Sequence, residues 1–198
     1  LQYISKEFNG KFKISQHGKC TSFNGIEIIS SPDNPRKISI NQNVHTRLTI
    51  QKLVDKYALS AITPKDSLPN YTHHKNVSDK DKILCGEKEI SEYQSIVGNL
   101  IWIAINTRPD LMHFATSASR ASKTPNKLQL RIVRQSIGYL INNPDMSINY
   151  DGVEINEVRL EAYSDSDLAA INVFTQFIPS DNPASRRSTT GYVITAEL

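Results

Sequence analysis

Residues 91–141, SEYQSIVGNLIWIAINTRPDLMHFATSASRASKTPNKLQLRIVRQSIGYLI, hold the densest apolar periodicity of the chain. Tyr93, Val97, Leu100, Ile101 and Ala104 recur on one face of a 3.6-residue helix. Ile96, Trp102 and Ile103 lie off that stripe, so the sequence predicts a helix buried nearly all round. Thr107-Arg108-Pro109-Asp110 restarts the chain: a Thr cap, a proline in the first turn and an acid that meets free N–H groups. Leu111, Phe114, Ala115 and Ala118 form the apolar face of a second helix. Thr124-Pro125 repeats the start signal, and Leu130, Val133, Ile137, Leu140 and Ile141 make a third stripe that Asn142-Asn143-Pro144 ends.

Outward from this block the period changes. Leu1 to Phe8 reads as the end of a helix, and Lys11 to Ile14 as a short edge strand. Phe23 to Ile29 reads as a second strand, Ser31 to Pro35 as a turn, and Ile38 to Ile40 as the returning partner. Val44 to Leu59 is amphipathic, with Leu53, Val54, Tyr57 and Ala58 on one face. Ser60 to Lys88 has no period and is expected to run as a surface linker. Its His73 and His74 lack further ligands at workable spacing and read as solvated loop residues. Beyond the block, Met146 to Tyr150 alternates into an Asp151-Gly152 turn, with Val153 and Ile155 alternating back. Val158 to Ser164 and Thr190 to Ala196 are further strands, separated by a loop over residues 172–187. The order makes the chain α+β.

Composition sets limits on function. The 198 residues carry a net charge of +3 and are 38% hydrophobic, with a mean hydropathy of −0.40 and a pI near 8.8. No apolar run reaches membrane-spanning length, and the start does not resemble a signal peptide. Cys20 and Cys85 are far apart and read as reduced thiols of an intracellular protein. The mild basic excess permits a nucleic-acid partner without requiring one. The chain begins at Leu1 and stops after a strand-like run, so it is expected to be a processed product or an excised piece of a longer protein. Lys127, Arg131 and Arg134 fall at i, i+4 and i+7, while Arg120 and Lys123 end the second helix. Such cations form either a solvated flank or a phosphate-tracking face. Asp165 and Asp167 read, from local pattern alone, as strand-end residues.

The ordered motifs resemble one family. Gly25-Ile26-Glu27-Ile28 after Phe23, Tyr93-Gln94-Ser95-Ile96-Val97-Gly98-Asn99-Leu100, Thr107-Arg108-Pro109-Asp110, Ser119-Arg120, Tyr139-Leu140, Tyr163-Ser164-Asp165-Ser166-Asp167 and Arg186-Arg187-Ser188-Thr189-Thr190-Gly191-Tyr192 occur in sequence. Together they resemble the reverse transcriptase to RNase H region of Ty1/copia-type retrotransposon Pol polyproteins. The resemblance implies the end of a polymerase palm over residues 1–62 and a linker over 63–90. It further implies a three-helix thumb or connection block over 91–145 and the first strands of an RNase H-like sheet over 146–198. It implies an RNA–DNA hybrid or primer–template as partner, contacted by Arg120, Lys123, Lys127, Arg131 and Arg134, and the rest of the polyprotein as a second partner, with no membrane. Localisation would be intracellular: the cytoplasm, within a virus-like particle, with the nucleus as a second compartment.

Asp165 would be the first metal-binding carboxylate of RNase H, with Asp167 beside it and Mg²⁺ as the cofactor of the intact enzyme. No Tyr-x-Asp-Asp polymerase turn occurs in the 198 residues, so this piece alone is expected to be inactive. The alternative is a non-catalytic retrotransposon relic that acts at most as a nucleic-acid-binding or interaction module. Two departures from the family pattern stand in the third helix: Leu130 where a tryptophan is common, and Gly138 where a basic residue is usual. The loop over residues 172–184 is also longer than the family's.

Overall fold

A computed structural model describes residues 18–34, 36–59, 62–71, 77–151, 159–167 and 189–197, with backbone alone for most of the last two stretches. The elements are β1 (Ser22–Phe23), β2 (Ile26–Ser30), β3 (Ile38–Asn41), α1 (Asn43–Tyr57), α2 (Asp79–Lys82), α3 (Glu87–Asn106), a 3-10 turn (Pro109–Leu111), α4 (Met112–Ser119), α5 (Lys127–Asn142), β4 (Ser147–Tyr150), β5 (Arg159–Asp167) and β6 (Thr189–Glu197). Helices and antiparallel sheet are both present, as the α+β reading requires. The predicted elements over Leu1 to Phe8 and Lys11 to Ile14, His73 and His74, Val153 to Ile155 and the loop over 172–187 lie outside the described residues.

The first strand differs from its prediction. Phe23 to Ile29 is not one strand but a hairpin, because Asn24 and Gly25 both take positive φ, 51° and 78°. Asn-Gly is the residue pair that a two-residue hairpin turn favours, since both central positions need left-handed backbone. β2 then pairs antiparallel with β3, as predicted, with Ile28 opposite Ile40. β3 pairs in turn with β4, Ile40 opposite Ile148. The strand that sequence groups with the carboxy-terminal elements therefore completes a four-stranded sheet, β1-β2-β3-β4, begun more than a hundred residues earlier. β5 and β6 form a separate two-stranded antiparallel ladder.

The core lies among α3, α4 and α5. Tyr93, Ile96, Ile103, Leu111, Val133 and Ile137 are fully enclosed. Two expectations for α3 are corrected. Trp102 is only half-buried, and Ile105 is exposed, so one flank of α3 faces solvent. Thr107 does not cap the next segment: it ends α3, and its buried Oγ1 donates to Gln42 Oε1 at 3.0 Å. The cap of α5 is likewise Asn126 rather than Thr124, its side chain accepting from Gln129 N–H while Gln129 returns a bond to Asn126 N–H. In α1, Ala58 leaves the apolar face and ends the helix in left-handed backbone, exposed.

The stretch expected to be a surface linker is packed. Tyr71 is 3% exposed and stacks edge-on to Phe114. Its hydroxyl bonds Tyr93 Oη at 2.6 Å, and Tyr93 donates to the Ala118 carbonyl. Lys65 N–H donates to Gly138 O, and Lys127 N–H to Ile83 O. Gly138 explains itself here: a Cβ on it would stand 2.4 Å from the Thr63 carbonyl oxygen and 3.2 Å from Ile62 Cγ2. The departure from the family pattern marks a close backbone approach that a larger residue could enter only by displacing backbone. Leu130, the other departure, is a buried core residue.

Candidate functional site

The Thr-Arg-Pro-Asp segment builds a polar cluster around a buried arginine. Pro109 opens the 3-10 turn and keeps Arg108 out of helical backbone. The Arg108 side chain is 2% exposed. Its guanidinium grips Asp110 with two parallel bonds of 2.9 and 2.8 Å, and its third nitrogen donates to the Asn143 carbonyl at 2.7 Å. Tyr139 Oη donates to the same Asp110 carboxylate, and the Tyr139 ring lies 5.6 Å from the guanidinium carbon. Burial pushes the Asp110 carboxyl up, but the Arg108 bonds more than offset this and hold it below the usual carboxylate range. The cluster ties the start of α4 to the end of α5. Its chemistry is positional: the guanidinium, the carboxylate and the phenol bond one another and the Asn143 carbonyl.

The basic residues divide by what they meet. Lys127 pairs with Glu89, Arg131 with Asp81 at 3.1 Å, and Arg134 with Glu92 through two bonds of 2.6 and 2.8 Å. The i, i+4, i+7 stripe thus joins α5 to α2 and α3. Arg120 and Lys123 are exposed beyond α4. The three acids were not singled out in sequence, although two signals for them exist. Ser78-x-x-Asp81 is a capping box, and Glu89 and Glu92 are three apart on one face of α3. What sequence lacks is the crossing of α3 and α5 that sets each acid opposite its cation.

Asp165 and Asp167 lie on β5, opposite Gly191 and Thr189 of β6. Among the described residues, no group of three His, Cys, Asp or Glu side chains could hold a metal ion. Two carboxylates do not by themselves fit a two-metal centre, which needs several converging acids.

Comparison with known proteins bears on the class. The chain is 25% identical over 169 residues to a transposon Ty5-1 protein of Saccharomyces cerevisiae, covering 85% of this chain and 51% of that protein. It is 24% identical, over a 199-residue alignment, to the retrovirus-related Pol polyprotein from transposon TNT 1-94 of Nicotiana tabacum, covering 97% of this chain and 13% of the polyprotein. No family model and no solved structure matches it. The chain is thus similar to transposon proteins, one of them a Pol polyprotein. These similarities bear out the resemblance to Ty1/copia-type Pol polyproteins. The chain spans about half the length of the yeast relative and a small part of the tobacco one. Among the described residues, no helix is long and apolar enough to cross a membrane.

Proposed function

We propose that this chain is the stretch of a retrotransposon Pol polyprotein that links the reverse transcriptase palm to RNase H. In this reading the α3–α5 block lies against an RNA–DNA hybrid or primer–template. The observation that carries it is collinearity: alignments over 85% and 97% of the chain with transposon proteins, joined to motifs in family order. The basic flank of α5 suits contact with a phosphate backbone, which positions a duplex without reading its bases.

Asp165 supplies one carboxylate of an RNase H centre, with Asp167 beside it and the remaining acids contributed by other segments of the polyprotein. Asp165 and Asp167 would there help those acids to hold Mg²⁺, whose chemistry would be activation of water for hydrolysis. Asp165→Asn, made in the whole polyprotein, is expected to abolish cleavage of the RNA strand of a hybrid while hybrid binding stays within about twofold, because charge is lost at the metals and not at the grip. Cleavage at the wild-type rate would remove Asp165 from the site. A wild-type polyprotein that binds hybrid but never cuts it would favour the relic.

A further inference from the structure

The three cations of α5 face acids of two different kinds. Asp81 is the acid half of a capping box: its Oδ2 accepts from Ser78 N–H at 3.3 Å and Ser78 Oγ at 2.8 Å, leaving Oδ1 to meet Arg131. Glu89 repeats this at the start of α3. Its Oε2 accepts from Gly86 N–H at 2.9 Å, and Oε1 meets Lys127. If either cation departs, the acid keeps its bonds to a helix start, where free N–H groups and the helix dipole favour negative charge. Glu92 has no such anchor. Its side chain is 7% exposed, and both its oxygens are held by Arg134. Removing Arg134 would leave a buried, unpaired carboxylate, one of the costlier changes a fold can suffer.

Exposure singles out Arg131, whose side chain is 56% exposed, while Lys127 and Arg134 are alike at 40% and 38%; what separates Lys127 from Arg134 is the helix-start anchor of its acid. One helical turn, about 6 Å of rise for four residues, separates them, of the order of the step between neighbouring phosphates on one strand. We propose that Lys127 and Arg131 form an exchangeable phosphate-binding pair, held without nucleic acid by the capping acids Glu89 and Asp81, while Arg134 stays in the fold. The proposal rests on the reading of this block as a nucleic-acid contact. It names which cations carry that contact and what competes for them.

The test measures binding of the full 198-residue chain to a labelled RNA–DNA hybrid across a salt series. Lys127→Gln with Arg131→Gln should remove about 1.8 from the slope of log affinity against log salt, two contacts' worth. Asp81→Asn and Glu89→Gln should each tighten binding, by up to about fivefold at low salt, the worth of one exposed ion pair. Asn and Gln keep an oxygen for the helix start, and an unchanged circular dichroism spectrum is the check that these variants fold. The gain should vanish when Lys127 and Arg131 are already Gln. A slope unchanged in the Lys127/Arg131 variant overturns the proposal while leaving the nucleic-acid reading intact. So does a gain from Asp81→Asn that persists without Arg131, which would be a net-charge effect only. Absence of salt-dependent binding by the wild-type chain overturns the underlying reading itself.

Discussion

The helical block and the four-stranded sheet dispose of their apolar residues in opposite ways. In the block, Tyr93, Ile96, Leu111 and Ile137 are sealed, and the polar groups that enter with them are paired. In the sheet, Ile28, Ile40 and Ile148 stand in one register row, yet none belongs to the core. Phe23 is 70% exposed and Tyr150 53%. What ties the sheet to the helices includes polar contacts: Thr107 to Gln42 and Arg47 to Asp145. The lesson is that the block holds the stability of this chain, while the sheet is carried by it. Changes of similar chemistry should therefore cost very different amounts in the two regions.

The largest effect is expected at Arg108. Replacing it by Met removes a buried guanidinium and leaves the partly exposed Asp110 and the half-buried Asn143 carbonyl without their partner, and should cost about 2–4 kcal/mol. Urea unfolding measures it; a loss below one kcal/mol would mean that the cluster does not join α4 to α5. Next comes Gly138→Ala. The added Cβ meets the Thr63 carbonyl oxygen, and because backbone cannot step aside cheaply, about 1–3 kcal/mol should be lost. A neutral or stabilising result, as glycine-to-alanine changes in an open helix give, would show that residues 62–65 do not press on α5.

Tyr71 offers a smaller effect with a pH signature. Burial pushes its phenol up to about 12. A group raised in the folded state contributes stability that is complete below its unfolded value, about 10, and that is lost as pH rises from there through about 12. Tyr71→Phe should cost about 1 kcal/mol at neutral pH for the lost hydrogen bond to Tyr93, and should make the alkaline loss of stability shallower. An alkaline limb identical to the wild type's would place Tyr71 outside the core. The smallest effect is expected in the sheet. Ile38→Ser, at a half-open position opposite Tyr150, should stay within about 0.5 kcal/mol. A loss of core size there would erase the contrast between the two regions.

Much of this architecture was legible locally. The stripes of α3 and α5, the stop at Asn143 and the β2–β3 pairing are short-range patterns, because helix and strand periods repeat within a few residues. Other features failed locally for identifiable reasons. The Asn24-Gly25 turn was present in sequence but read through as strand, since Phe23 and Ile26 flank it with strand formers. Trp102 was counted as core because it is apolar, although its helix presents that flank to solvent.

Of the candidate site, composition and spacing found the cations Lys127, Arg131 and Arg134, since charge is a property of the residue. Their partners Glu89, Asp81 and Glu92 came only from how α5 lies across α2 and α3, 38 to 50 positions away in sequence. The same holds for Arg108, whose charge reads as surface in one dimension and is enclosed in three, and for Tyr71, drawn from an aperiodic stretch into the core. Local pattern settles which segments become helix or strand, because backbone geometry is short-range. Which charge meets which, and which glycine must stay a glycine, is settled by packing between distant segments, where desolvation decides the worth of every polar contact.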